Sequence, residues 1–77
     1  MSKKLLDRIE VNPSIMVGKP VVKGTRIPVY LILNLLAQGY DTKRILKAYP
    51  GLTERDVTAA LSYAALRFEH EEMHTHA

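Results

Sequence analysis

The tail of this 77-residue chain contains histidines and glutamates spaced as in a zinc site. His70-Glu71-Glu72-Met73-His74 matches the H-E-x-x-H pattern, in which two histidines one helical turn apart bind zinc and the glutamate is the base. A protease needs a third ligand and a substrate cleft around that pattern, and only His76 is near enough in sequence to serve as a third ligand. We therefore interpret this segment as a polar helix end and expect no metal site, no cofactor and no proteolysis; adventitious binding of a divalent metal by His70, His74 and His76 stays open.

A second group of side chains, all cationic, surrounds a glycine in a short-stranded region. Lys19, Lys23 and Arg26 flank Gly24, which can adopt a positive φ at a corner between a strand and a helix. Thr25 can hydrogen-bond nearby backbone or cap the helix. The planar donors of Arg26 suit either an internal clamp on carbonyls and carboxylates or, with the two lysines, the carboxylates or phosphates of a partner. Both readings stay open, and the three cations are candidates for partner binding.

A third group lies where a DNA-binding protein would contact phosphate. Exposed positions of one predicted helix hold Lys43, Arg44 and Lys47, and Arg55 begins the next, so these four are candidates for DNA contact. Arg55 lies between two carboxylates, Glu54 and Asp56, which makes a poor base-reading surface. The alternative is that the cations form an ordinary solvated helix face.

Composition limits the remaining function classes. The chain has no cysteine, and with histidines only in its tail it offers no nucleophile paired with a base, so we expect a protein that is not an enzyme. No apolar run approaches the ~20 residues of a membrane span, and no secretory signal pattern is present, so we expect a cytoplasmic protein without membrane contact. Residues 1–50 carry nine basic and three acidic groups, a net charge of +6, whereas residues 51–77 carry −3. That asymmetry suits a nucleic-acid or acidic-protein partner.

The spacing of apolar and turn residues predicts short strands followed by three helices. Pro28 suits the first turn of a nearly all-apolar helix that ends at Gly39. Asp41 or Thr42 can cap the second helix, and Thr53 with Asp56 forms a capping-box pattern at the start of the third. The predicted strands are 9–11, 15–17 and 21–23; the predicted helices are 28–38, 43–49 and 54–69, the last with a buried stripe of Val57, Leu61, Ala64 and Phe68.

These elements predict a mainly α fold, a trihelical helix-turn-helix bundle with short N-terminal β-strands. We expect a single domain over 1–77, composed of an arm (1–27), the bundle (28–70) and a flexible tail (71–77). A chain this short buries only about 60% of its extended-chain surface. Because the first bundle helix is apolar nearly all round, we expect the arm and this helix to form a homodimer.

Several segments of the chain resemble one family. Gly18-Lys19-Pro20-Val21-Val22, Gly24-Thr25-Arg26-Ile27-Pro28-Val29 and Tyr49-Pro50-Gly51-Leu52-Thr53 are similar to motifs of the bacterial and archaeal domain of unknown function 433 (DUF433). The resemblance implies a homeodomain-like trihelical fold, a dimer and the role of an antitoxin that neutralises a toxin of the PIN-related ribonuclease type. Operator DNA is a further partner that this role suggests. The competing hypotheses are a stand-alone helix-turn-helix DNA-binding regulator and a bare oligomerisation module.

Overall fold

A computed structural model describes residues 3–70 of the chain. The described part is mainly helical, with four α-helices and one two-stranded antiparallel sheet, which confirms the predicted mainly α class with short N-terminal strands. The predicted flexible tail, 71–77, lies outside the described residues, as does most of the H-E-x-x-H segment. In chain order the elements are α1 (Lys3–Leu6), β1 (Ile9–Glu10), β2 (Val21–Val22), α2 (Val29–Ala37), α3 (Thr42–Ala48) and α4 (Glu54–His70).

The arm contains two of the three predicted strands. β1 and β2 pair antiparallel, with Ile9 opposite Val22. The strand predicted at 15–17 is wrong, because Met16–Gly18 instead forms a left-handed turn with φ of 51°, 56° and 78°. The backbone groups there are satisfied locally: the N–H of Gly18 donates to the carbonyl of Ile15 at 3.0 Å. Because three consecutive residues are left-handed, the segment is not extended and cannot pair as a strand.

The chain enters α2 through a second, tighter hairpin. The N–H of Val22 donates to the carbonyl of Ile27, and the N–H of Val29 to that of Pro20, both at 2.9 Å. Pro28 forms an isolated bridge with β2 and has extended φ and ψ of −75° and 150°. It therefore caps α2, which begins one residue later than the sequence predicts.

The core lies where α2, α3 and α4 contact one another pairwise, with α1 and β1 lying against α4. Ile32 of α2 and Ile45 of α3 are fully buried. Most of the apolar surface of α2 packs within the chain, so the expectation of a large unsatisfied face on this helix is not met; of its large apolar side chains only Tyr30 is exposed. The buried cluster consists of Val22, Val29, Ile32, Leu35, Ile45, Leu52, Val57 and Ala60.

The start of α4 is as predicted, and its predicted buried stripe is right in part. The predicted capping box is present, since Thr53 and Asp56 exchange backbone-to-side-chain hydrogen bonds. Of the predicted buried stripe, Val57 is buried and Ala64 partly buried, whereas Leu61 is 48% and Phe68 64% exposed. The helix is rotated so that Asp56 and Ala60 face the interior, because α1 and β1 also pack on α4 and cover that side.

Within residues 3–70, none of the helices has both the length and the apolar character needed to cross a bilayer.

Candidate functional site: a cationic hairpin beside a strained turn

The hairpin that joins β2 to α2 is held by its own hydrogen bonds. The turn over residues 22–25 closes through the N–H of Thr25, which donates to the carbonyl of Val22 at 3.0 Å. Gly24 has φ of 82°, the positive value expected at this corner from the sequence and one that disfavours residues with a Cβ. The hydroxyl of Thr25 donates to the Val22 carbonyl at 2.7 Å and accepts from the N–H of Ile27 at 3.0 Å. The backbone around Arg26 is thus fixed without using the arginine side chain.

The three cations of this region all point into solvent. Lys19, Lys23 and Arg26 are exposed, and none of their side chains hydrogen-bonds or forms an ion pair with another residue in the described range 3–70. The internal clamp considered for Arg26 is therefore absent there. Lys19 makes one aromatic contact, with its Nζ 5.3 Å from the centre of the Tyr30 ring. The hairpin therefore offers two free cations near its tip and a third at its base beside an exposed aromatic ring.

An internal arginine clamp does exist, at a residue that the sequence analysis did not select. Nη1 of Arg8 lies 3.0 Å from Oδ1 of Asp56, forming an ion pair. The other carboxylate oxygen of Asp56 accepts the N–H of Thr53 at 2.8 Å. The capping-box spacing identified the second contact, but the first joins residues 48 positions apart. No local pattern in the sequence could have indicated it.

The candidates for DNA contact are divided between two helices. Lys43, Arg44 and Lys47 are exposed on α3, and Arg55 is exposed in the first turn of α4. The guanidinium carbon of Arg44 lies 3.8 Å from the centre of the Tyr40 ring, which holds its charge close to the start of α3.

The first turns of α4 leave few side chains free to read bases. Asp56 is buried in its ion pair and cap, and Ala59 is fully buried. The hydroxyl of Thr58 donates to the carbonyl of Glu54. Arg55 and Glu54 remain exposed beside each other with opposite charges. This surface suits phosphate contact from α3 better than base recognition by α4.

The turn at 16–18 combines backbone strain with an exposed apolar side chain. Val17 has φ and ψ of 56° and 38° and is 92% exposed, and Met16 before it has φ of 51°. A β-branched residue in the left-handed region is a conformational outlier. Such outliers concentrate at functional sites, because elsewhere nothing offsets their cost. The sequence pattern, a plain apolar triplet, gave no sign of this feature.

Comparison with known proteins assigns the chain to a family. Residues 9–64 match the family described as "Protein of unknown function (DUF433)", and the chain belongs to it. The match includes the hairpin, the strained turn, α2, α3 and α4 up to residue 64, which confirms the resemblance noted in the sequence.

Two uncharacterized proteins are similar over part of their length. The protein y4eO of Sinorhizobium fredii is 42% identical over 53 residues, which is 69% of this chain but 24% of that protein. A protein of Archaeoglobus fulgidus is 62% identical over 24 residues, covering 31% of this chain and 67% of the other. The chain thus corresponds to about a quarter of the Sinorhizobium protein.

A solved structure has a similar fold. The crystal structure of a DUF433 member from Anabaena variabilis is similar with a TM-score of 0.75 and 30% sequence identity, covering 90% of this chain and 79% of that one. The fold described above is therefore a fold of this family.

Proposed function

We propose that this protein is an antitoxin, a binding protein without catalytic activity that neutralises a PIN-related ribonuclease by direct contact. This is the role implied by the resemblance to DUF433. The observation that carries it here is the hairpin of residues 20–29, which presents Lys23 and Arg26 on a backbone held by internal hydrogen bonds. Because these cations have no partner within residues 3–70, they are free for one outside.

The chemistry of such a partner fits the hairpin. A ribonuclease of that type holds its metal ion with carboxylates, so its active site is an acidic cleft. A guanidinium can bind a carboxylate through two parallel hydrogen bonds, and a preformed hairpin loses little conformational entropy when it does so. Arg26 and Lys23 would then neutralise the acidic cleft and block access of the RNA phosphates.

The proposal includes a cytoplasmic homodimer of homeodomain-like, helix-turn-helix type that also touches operator DNA when complexed with the toxin. The exposed apolar side chains of α4, Leu61 and Phe68, support self-association. They move the expected dimer contact from the apolar α2, whose surface is mostly buried within the chain, to α4.

Co-expression with the product of the adjacent open reading frame tests the antitoxin proposal. We expect a complex that survives size-exclusion chromatography with light scattering, and a partner that cleaves RNA only when separated from this chain. A partner that is equally active with and without saturating antitoxin would refute the proposal. The variant Arg26→Ala should stay folded, because its exposed side chain makes no hydrogen bond or ion pair within residues 3–70, and it should neutralise the ribonuclease less well.

A stand-alone DNA-binding regulator is the second candidate, favoured by the exposed cations of α3. It predicts tight binding of the isolated protein to its own upstream DNA, with affinity falling steeply as salt rises. In that case Lys43→Glu and Lys47→Glu should abolish binding, while Arg26→Ala should not. Under the antitoxin proposal, Arg26→Ala should weaken neutralisation in the toxin assay, while Lys43→Glu and Lys47→Glu should not.

A further inference from the structure

The side chain of Val17 is not explained by the fold. It lies in the left-handed turn and is 92% exposed, so it contributes almost no burial to the core. The turn is closed by backbone hydrogen bonds, from Gly18 to Ile15 at 3.0 Å and from Lys19 to Met16 at 3.1 Å. Glycine or asparagine would make the same bonds at lower conformational cost. Valine at this position therefore lowers the stability of the fold, and almost no burial within the described residues offsets that loss.

The residues that follow Val17 along the chain include three exposed cations and an exposed aromatic ring. Two residues along the chain, Lys19 reaches Tyr30, which is 47% exposed. Lys23 and Arg26 follow on the hairpin that begins beside Lys19, and their charges are unpaired within the described residues. We name the set of Val17, Lys19, Lys23, Arg26 and Tyr30 the turn patch.

The positive charge of the turn patch indicates which kind of partner it can bind. In a two-fold symmetric dimer the same surface meets itself, so a contact through this patch would bring like charges together. A second copy of the chain is thereby disfavoured. An acidic surface of another protein would gain opposite charges for all three cations and could place an apolar side chain against Val17 and Tyr30.

We infer that the turn patch is the surface that binds the partner, and that its ligand is an acidic protein segment carrying an apolar anchor residue. This inference rests on the proposed antitoxin function and extends it, by adding the strained turn to the hairpin and by specifying the chemistry of the segment bound. Val17 and Tyr30 form the apolar centre of the contact, and the three cations form its rim.

The inference is tested with point variants of the full chain against the co-expressed ribonuclease, by calorimetry or surface plasmon resonance. Val17→Asn should weaken binding about tenfold or more, as expected for an apolar anchor. Its melting temperature should be unchanged or higher, since asparagine tolerates positive φ better than valine. A valine with a merely structural role would show the opposite pattern. Lys19→Glu should weaken binding and reduce its dependence on salt.

Two matched controls carry the same chemical changes elsewhere. Val11→Asn makes the Val17 change at another exposed valine, in the segment after β1, and Lys47→Glu reverses an exposed charge on α3. Both should leave the affinity for the ribonuclease within about twofold, a change small enough to be negligible in free energy.

The outcomes separate the inference from the proposed function. If no complex forms with any version of the chain, the antitoxin proposal fails and the inference falls with it. If the complex forms and the turn-patch variants bind normally, the inference alone is wrong. Loss of binding by Val11→Asn or Lys47→Glu in place of the turn-patch variants would also overturn it, since the contact would then involve the segment after β1 or α3.

Discussion

The ion pair between Arg8 and Asp56 links the N-terminal arm to the helical core, in addition to the packing of Val22 in that core. It joins the turn between α1 and β1 to the first turn of α4, and the same carboxylate accepts the N–H of Thr53 in the capping box of that helix. Replacing Arg8 by alanine removes the ion pair and keeps the cap. Replacing Asp56 by alanine removes the ion pair and the carboxylate's half of the capping box, while the bond from the N–H of residue 56 to the Thr53 hydroxyl stays. The two variants and their combination form a double-mutant cycle that isolates the pair.

The burial of the two partners sets the expected magnitude. The Asp56 side chain is 9% exposed and that of Arg8 is 38% exposed, so the pair is intermediate between a buried and a surface ion pair. Breaking a buried pair costs about 3–5 kcal/mol and a surface pair up to about 1 kcal/mol. After discounting for the exposure of the guanidinium, we expect Arg8→Ala to cost about 1–2 kcal/mol. Asp56→Ala should cost about 2–3 kcal/mol, since it also loses the carboxylate's half of the capping box.

Urea and thermal denaturation followed by circular dichroism measure these costs. A domain of this size is expected to have a free energy of unfolding of about 4–12 kcal/mol, so both variants should still fold. Each 1 kcal/mol should lower the melting temperature by about 4–8 °C. Asp41→Ala is the matched control, because Asp41 caps α3 through the N–H of Arg44 at 2.8 Å but makes no ion pair within the described residues. It should cost about 1 kcal/mol.

A small coupling energy would refute this reasoning. If the double variant Arg8→Ala/Asp56→Ala shows additive losses within about 0.3 kcal/mol, the contact contributes nothing beyond the cap. We expect a coupling of about 1–2 kcal/mol instead. The control pair, Arg8→Ala with Asp41→Ala, should be additive. Arg8→Lys should restore part of the coupling, because only one guanidinium nitrogen contacts the carboxylate.

Three further changes test the hairpin and the core by the same denaturation measurements. Gly24→Ala should destabilise by about 1 kcal/mol through its φ of 82° alone, since no atom lies within 4 Å of the added Cβ; Gly51→Ala, where φ is not positive and space is also open, should be neutral or slightly stabilising. Thr25→Val should cost about 1–2 kcal/mol by leaving the N–H of Ile27 unpaired. Ile45→Ala should cost about 2–5 kcal/mol, because the side chain is fully buried. No measurable loss in Thr25→Val or Ile45→Ala, or equal losses in the two glycine variants, would contradict these expectations.

The elements that the sequence predicts well are those with local signals. Asp41, Gly39 and the Thr53–Asp56 capping box bound their helices as expected, because a cap depends only on residues within one turn. The positive φ of Gly24 follows in the same way from the need to turn the chain sharply.

The predictions that were wrong depend on tertiary contacts, that is, on which other segment, if any, packs against the residues concerned. Ile15-Met16-Val17 has the composition of a strand, but a strand needs a partner with free backbone groups, and the turn beginning at Asn12 closes the segment on itself. Leu61 and Phe68 follow the helical period, but the face that α4 buries was decided by α1 and β1 packing on its other side. The spacing of apolar residues could not show that the 15–17 segment closes on itself, nor that α1 and β1 pack on α4.

In the Gly24–Val29 motif, most residues stabilise the fold, whereas the side chain of Arg26 does not. Gly24 supplies the turn, Thr25 ties the hairpin together, Pro28 caps α2 and Val29 enters the core. Arg26 differs from these residues, because its charged side chain is exposed and forms no hydrogen bond or ion pair within residues 3–70. Ordering a long charged side chain on binding costs rotamer entropy, and a hairpin already fixed by hydrogen bonds keeps the backbone part of that cost low. The fixed backbone of the hairpin and the unpaired side chain of Arg26 within residues 3–70 therefore support a role of this hairpin in binding a partner. The strained and exposed Val17, in the turn that precedes the hairpin, supports that role independently.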